Sequence, residues 1–179
     1  MRDDSHVCDI PDALPPDVII RRALPADLLG IVRVFDGAAL ETDVERLRRR
    51  LRDDPPRAFV AAAARTDPSP ESSADRVVGA LVLSDRPASS PGEVEIEQVA
   101  VRRRRRGRGI GRALVEAACS FAIEHAPPGA TPVVTARFDR TARPFYEACG
   151  FEIVEDPTLE SAEGSRGERL RARRRADAG

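Results

Sequence analysis

Five consecutive arginines, Arg102 to Arg106, run into Gly107, Arg108, Gly109, Ile110, Gly111 and Arg112, and an apolar segment follows at once. Glycine at every second position lets the main chain approach a ligand closely, and a helix that starts there adds amide N–H groups and positive potential. Together these residues describe a cradle for an anion, and Arg106 and Arg108 are placed to meet the phosphates of a pyrophosphate. Just upstream, VEIEQVAV alternates, which predicts Glu95, Glu97, Val99 and Val101 on one face of a strand. The two carboxylates there are either ordinary solvent-facing strand residues or a general base.

Two other phosphate loops do not fit. A Walker loop needs Gly-Lys-Ser/Thr, and the chain contains no lysine; a dinucleotide fold needs an acidic residue at the end of the next strand, where TARF stands. A nucleic-acid role for the arginine run is disfavoured as well. The 29 basic and 30 acidic residues leave a formal net charge of -1, and no aromatic residues interleave the arginines.

Positioning such a cradle requires a strand before it and a helix after it, and the sequence supplies both. DVIIRRA (17 to 23) reads as a strand, PADLLGIVRVFDGAAL (25 to 40) and ETDVERLRRRLRDDPP (41 to 56) as helices, and RAFVAAAAR (57 to 65) with RVVGALVLS (76 to 84) as a hairpin. VEIEQVAV (94 to 101) is the strand before the cradle. The helix after it, 109 to 126, carries Leu114, Ala117, Ala118, Phe121 and Ala122 along one stripe. A parallel strand at 131 to 138, a short helix at 141 to 150 with Thr141 as N-cap and Gly150 as C-terminal cap, and a strand at 151 to 154 complete the pattern. The order β-α-α-β-β-β-α-β-α-β predicts an α/β (α+β) fold on one mixed sheet flanked by helices.

With 179 residues, of which 41% are hydrophobic, the chain has the size of one globular domain. The reading is a flexible lead-in over 1–17, the domain over 18–156, and a charged tail over 157–179 whose RLRAR segment is an edge strand or a frayed end. Such an edge would let two copies pair as a homodimer. Cys8, Cys119 and Cys149 form no C-x-x-C pair, and His6 and His125 have no nearby partner, so no metal site is expected and the thiols read as reduced. No run approaches the roughly 18 apolar residues that span a bilayer. A cytoplasmic location is the expectation.

At the cradle the sequence resembles the GNAT superfamily of N-acetyltransferases, whose acetyl-CoA loop has the form Gln/Arg-x-x-Gly-x-Gly/Ala; Arg106 to Gly111 fit every defined position. ARPFYEACGF (142 to 151) resembles the family's second hallmark, with Ala142, Phe145, Tyr146, Glu147, Gly150 and Phe151 in the matching places. The resemblance spans roughly Val18 to Val154, though the first half matches in element order only. It implies an enzyme that moves an acetyl group from acetyl-CoA to a primary amine, with no metal. Glu95 aligns with the family's base and Glu97 is the alternative; Tyr146 stands where the family puts the acid that protonates the departing thiolate. Val99, Ala100 and Val101 would hold the pantetheine arm by their main chain, and residues 106 to 112 the pyrophosphate. Asp139 stands where many members have an asparagine that contacts coenzyme or helix end. The acceptor pocket is expected from 36–43 and from the loop after Val154, and a non-catalytic acyl-CoA-sensing or nucleic-acid-binding module is the rival reading.

Overall fold

The computed structural model describes residues 14–63, 76–85, 89–154 and 169–176. The lead-in up to residue 13, the long hairpin connection and the loop after Val154 lie outside them. One sheet organises the chain. Strands β1 (Val18–Arg22), β2 (Ala58–Ala63), β3 (Val77–Leu83), β4 (Glu93–Val101), β5 (Val133–Asp139), β6 (Glu152–Val154) and β7 (Arg169–Arg175) stand in the order β1-β2-β3-β4-β5-β7-β6. Every neighbouring pair is antiparallel except β4 and β5, which are parallel. The parallel pair needs a crossover, and α3 (Ile110–His125) provides it.

Each face of the sheet carries its own core. On one side α1 (Leu28–Asp36) and α2 (Val44–Arg50) bury Ile31, Val34, Phe35 and Leu47 against Val60, Ala80 and Val82. Burying each of the larger side chains there contributes about 1.5–3 kcal/mol. On the other side α3 lays Leu114, Ala118, Phe121 and Ala122 over Leu81, Ile96, Val134 and Ala136, while Ala117 is half-buried at the margin of the same stripe. The helix α4 (Arg143–Ala148) joins this second core through Tyr146.

Three expectations change. The segment 169–175 is not an edge: β7 inserts between β5 and β6, its Leu170 and Ala172 facing the α3-side core, and β6 is the outer strand. The proposed exchange edge for a homodimer therefore does not exist. Thr141 is not the helix cap either, because the chain enters α4 through a 3-10 turn, Arg140–Ala142, capped by Asp139. Thirdly, β4 does not alternate throughout. Leu83 pairs with Ile96 and Val82 with Gln98, so Glu97 is an extra residue, a β-bulge. Val94 and Ile96 face the α3-side core before it and Val99 and Val101 after it, whereas Ala100 joins the α1-side core. Glu95 and Glu97 thus lie on the face opposite Val99 and Val101.

Where β1 leads into α1, Asp27 is 2% exposed. Its carboxylate accepts from Arg21 Nη1 at 2.6 Å, from Arg21 Nη2 at 2.9 Å and from the Leu24 amide at 2.8 Å. Burial pushes the Asp27 carboxyl up, but the Arg21 fork and the Leu24 amide outweigh it and hold the group below its ordinary value. A lowered folded-state pKa contributes stability above the ordinary carboxyl range, which is lost as pH falls through the folded value. Asp27→Asn is expected to lower the unfolding free energy by about 2 kcal/mol at pH 7. The gap to the parent protein should narrow below about pH 4. Urea denaturation at the two pH values measures this, and a gap that does not change with pH would contradict it.

Candidate active site

The bulge at Glu97 changes the path of β4, and that opens the site. Pairing with β5 runs from Glu93 opposite Val133 to Ile96 opposite Ala136 and stops there, so the C-terminal parts of the two strands diverge. Along the parted edge, the Arg102 amide donates to Val78 O on the β3 side. Strand main-chain groups alternate in direction, so the amides of Val101 and Val99 point the other way, into the opening. Arg106 Nε donates to Val101 O at 3.0 Å from that side. Val99 and the Val101 amide therefore offer an edge with no neighbouring strand on it, the Val101 carbonyl being taken by Arg106, while Ala100 turns its main chain toward β3 and its side chain into the α1-side core.

Below this edge the cradle takes shape. After the 3-10 turn Arg103–Arg105, Gly107 adopts φ 71° and Gly109 φ 72°, the left-handed conformation that glycine tolerates. Gly109 is the N-cap of α3 and no side chain caps the helix. The first amides of a helix need acceptors from outside it, and a phosphate supplies them. Around a Cβ placed on Gly107 there is nothing within 4 Å, so the cradle is open. Gly111 also serves packing: a Cβ there would stand 2.8 Å from Phe145 Cε2. Ile110 is buried in the α3-side core and reaches the cradle only through its main chain. Arg108 and Arg112 are exposed beside it, and Arg105 pairs with Asp17 at 2.7 Å.

Tyr146 lies on the α3 side of the opening. Its ring stacks on Phe138, at the diverging end of β5, with centroids 4.1 Å apart, and meets the edges of Phe145 and Phe151. Burial holds its phenol above the ordinary tyrosine range, so the hydroxyl keeps its proton at neutral pH. Cys119 and Cys149, in the same core, have thiols pushed up to about 11 by burial, which makes both poor nucleophiles.

Across the sheet, the two candidate bases differ. Glu97 is held in an ion cluster: its Oε2 accepts from Arg50 Nη2 at 2.5 Å, and its Oε1 is 3.6 Å from Arg46 Nη1. Asp85 binds both arginines as well, and the hydrogen bond from Arg46 is the main reason its carboxyl lies far below the ordinary range. The Arg50 side chain is 4% exposed. Glu97 thus fixes the bulge to α2. Glu95 is the less exposed of the two, at 24% against 33%, and its nearest cation is more distant, with Oε1 3.7 Å from Arg137 Nε. Gln98 Nε2 donates to Glu41 O at 2.6 Å, which lays the connection between α1 and α2 against the bulge.

Asp139 caps the turn into α4: its Oδ1 accepts from the Thr141 amide at 2.9 Å and from Thr141 Oγ1 at 2.8 Å. Sequence reasoning missed the cluster of Arg46 and Arg50 on α2 with Asp85 just after β3, which lies 39 and 35 positions from those arginines. No periodicity connects them.

With this geometry in place, the family can be stated. The family model "Acetyltransferase (GNAT) family" matches residues 29–151, and the chain belongs to that family. Ard1 from Thermoplasma volcanium superposes with a TM-score of 0.68 at 22% identity, covering 90% of this chain and 99% of that one. The NatC complex bound to Gag peptide and CoA gives 0.67 at 18% identity, with 90% and 99% covered. The structure of yncA from Salmonella typhimurium with acetyl-CoA gives 0.64 at 18%, with 91% and 96% covered. At these identities the likeness concerns the fold. No curated protein matches the chain. No helix among the described residues is long and apolar enough to cross a membrane.

Proposed function

We propose that the protein is a cytoplasmic N-acetyltransferase that moves the acetyl group of acetyl-CoA to a primary amine by direct attack. The observation that carries this reading is the parted edge of β4, with Val99 and the Val101 amide beyond the last residue paired to β5, leading straight to the uncapped, glycine-started helix α3. These are two consecutive stretches of main chain suited to the two halves of one ligand, an amide-rich arm and a pyrophosphate. The acetyl-CoA in yncA and the CoA in the NatC complex accord with it.

In this reading Gly107 to Arg112 take the pyrophosphate on their amides, with Arg106 and Arg108 beside it. Val99 to Val101 extend their edge to the pantetheine, and Asp139 holds the chain entering α4. The thioester supplies an activated acetyl carbon. Glu95 accepts a proton from the incoming ammonium on the α1 side, the freed nitrogen attacks that carbon, and the Val99 amide donates to the developing oxyanion. From the opposite side, Tyr146 donates its proton toward the sulfur as the carbon–sulfur bond breaks. Of the ammonium's three protons, one stays on the amide nitrogen, one replaces that given to sulfur, and one leaves to solvent. Glu97 holds the bulge that keeps the opening in shape.

Calorimetric titration with acetyl-CoA, free CoA and ATP tests the cofactor, and thiol release with an amine panel tests the transfer. Saturable one-to-one binding of the two CoA species, but not ATP, is expected. Binding with no thiol release from any amine would favour a sensing module, and no CoA binding would overturn the reading.

A further inference from the structure

Beyond β4, the face that bears Glu95 is set with arginines. In the β5–β7 pairing Arg137 stands opposite Arg171, and Thr135 opposite Arg173. The residues between them, Ala136 and Ala172, point into the α3-side core, so the three arginines share the other face with Glu95. Like charges directly opposite on neighbouring strands destabilise a sheet. Glutamates offset them unevenly: Arg171 Nη2 donates to Glu93 Oε1 at 3.2 Å, but Arg137 Nε is 3.7 Å from Glu95 and Arg173 Nε 3.8 Å from Glu152. The last two distances exceed a hydrogen bond. Arg173 and Glu152 are strongly solvated, at 63% and 78% exposure, whereas Arg137 is less exposed at 38% and Arg171 is half-buried at 28%.

The row has a direction. Pairing of β4 with β5 ends at Ala136, so Arg137 is the first residue of β5 in the opening, and Arg171 is its cross-strand neighbour. Glu95, assigned above to the ammonium, stands beside Arg137. One carboxylate for a cation and two guanidinium groups, Arg137 at 3.7 Å from Glu95 and Arg171 with one N–H on Glu93, are therefore neighbours where the strands begin to part. Guanidinium forks match the paired oxygens of carboxylates and phosphates.

We propose that the acceptor is a zwitterionic amine, one carrying a carboxylate or phosphate within a few bonds of the reacting nitrogen, with Arg137 and Arg171 holding the anion while Glu95 receives the ammonium. This names the acceptor class of the acetyltransferase reading and rests on it. A neutral or polycationic amine would bring Arg137 and Arg171 no anion beyond the glutamates they already meet.

The test is thiol release from acetyl-CoA with amine pairs that differ only in the anion. L-Aspartate, L-glutamate, L-methionine and L-phenylalanine are each set beside the α-carboxamide, and O-phospho-L-serine beside L-serine. The expected result is a preference of about tenfold or more in kcat/KM for the anionic member of at least one pair, reduced to about threefold or less in Arg137→Met and in Arg171→Met. Arg173→Met, which removes the same charge from the solvated end of the row, should keep the preference. The phosphoserine and carboxamide pairs tell phosphate from carboxylate. Equal rates within every pair, a preference that survives both substitutions, or an equal loss in Arg173→Met would overturn the proposal while leaving the acetyltransferase reading intact. Should no amine release thiol, the same pairs titrated into the protein saturated with CoA decide by calorimetry: anion-selective binding lost in the two variants supports the proposal, and its absence overturns it.

Discussion

Gly109→Glu is expected to weaken acetyl-CoA binding by about 100-fold or more, equivalent to about 2.8 kcal/mol. Two effects act in the same direction. Gly109 sits at φ 72°, and a side chain held in that region costs about 1–2 kcal/mol. The new carboxylate would also stand at the N-terminus of α3, where it competes for the free amides and repels a pyrophosphate. A carboxylate is welcome at an empty helix start, which offsets part of the strain and keeps the unliganded fold in place. Gly109→Ala separates the contributions, since it adds the strain without the charge, and its loss of affinity should be smaller. Calorimetry gives the affinities, and a thermal melt without ligand shows that the variants are folded. Unchanged affinity in Gly109→Glu would remove the cradle from the coenzyme site.

How much of this was legible in the sequence depends on whether the signal was local. The cradle was, because the need for glycine at 107 and 109 is written in the residues that form it, and the packing of α3 follows from its apolar stripe. At Gly111 a further reason for glycine is Phe145, more than 30 positions away, and nothing nearby reveals it. The bulge in β4 left a mark that can be read in hindsight. Apolar residues fall at 94 and 96 and then at 99 and 101, so the phase slips by one at the adjacent polar pair Glu97 and Gln98. Treating the run as one unbroken alternation put Glu95 and Val99 on the same face. The inner position of β7 was hidden because its alternation runs between Leu170 or Ala172 and arginines, and in a composition so rich in arginine that reads as a solvated end. Its true partners, Glu93, Glu116 and Glu152, come from three separate elements. Whatever depended on pairing between distant elements was therefore invisible, and this includes the arginines at the mouth of the site.

Tyr146→Phe is expected to lower kcat by about 100-fold, with acetyl-CoA affinity altered by about twofold or less. The substitution is unusually clean here. The ring is held by Phe138, Phe145 and Phe151, contacts that phenylalanine reproduces, so the packing and the parted strands should be retained. Only the hydroxyl is lost. Because burial raises the phenol's pKa, Tyr146 stays protonated across the neutral range and enters each turnover as a donor. The same burial makes a free tyrosinate costly, so donation should be completed only as the thiolate charge develops, with the proton recovered from the amine side afterwards. The rate of Tyr146→Phe should therefore show its deficit at every pH from about 6 to 9, below the range in which the parent phenol titrates. A leaving group that needs no proton offers a second check: an acetyl donor with a far more acidic thiol should narrow the difference between the two proteins. If turnover were unchanged, or if the deficit were the same for both donors, Tyr146 would belong to the core that supports the opening and not to the proton path, and sulfur would take its proton from solvent.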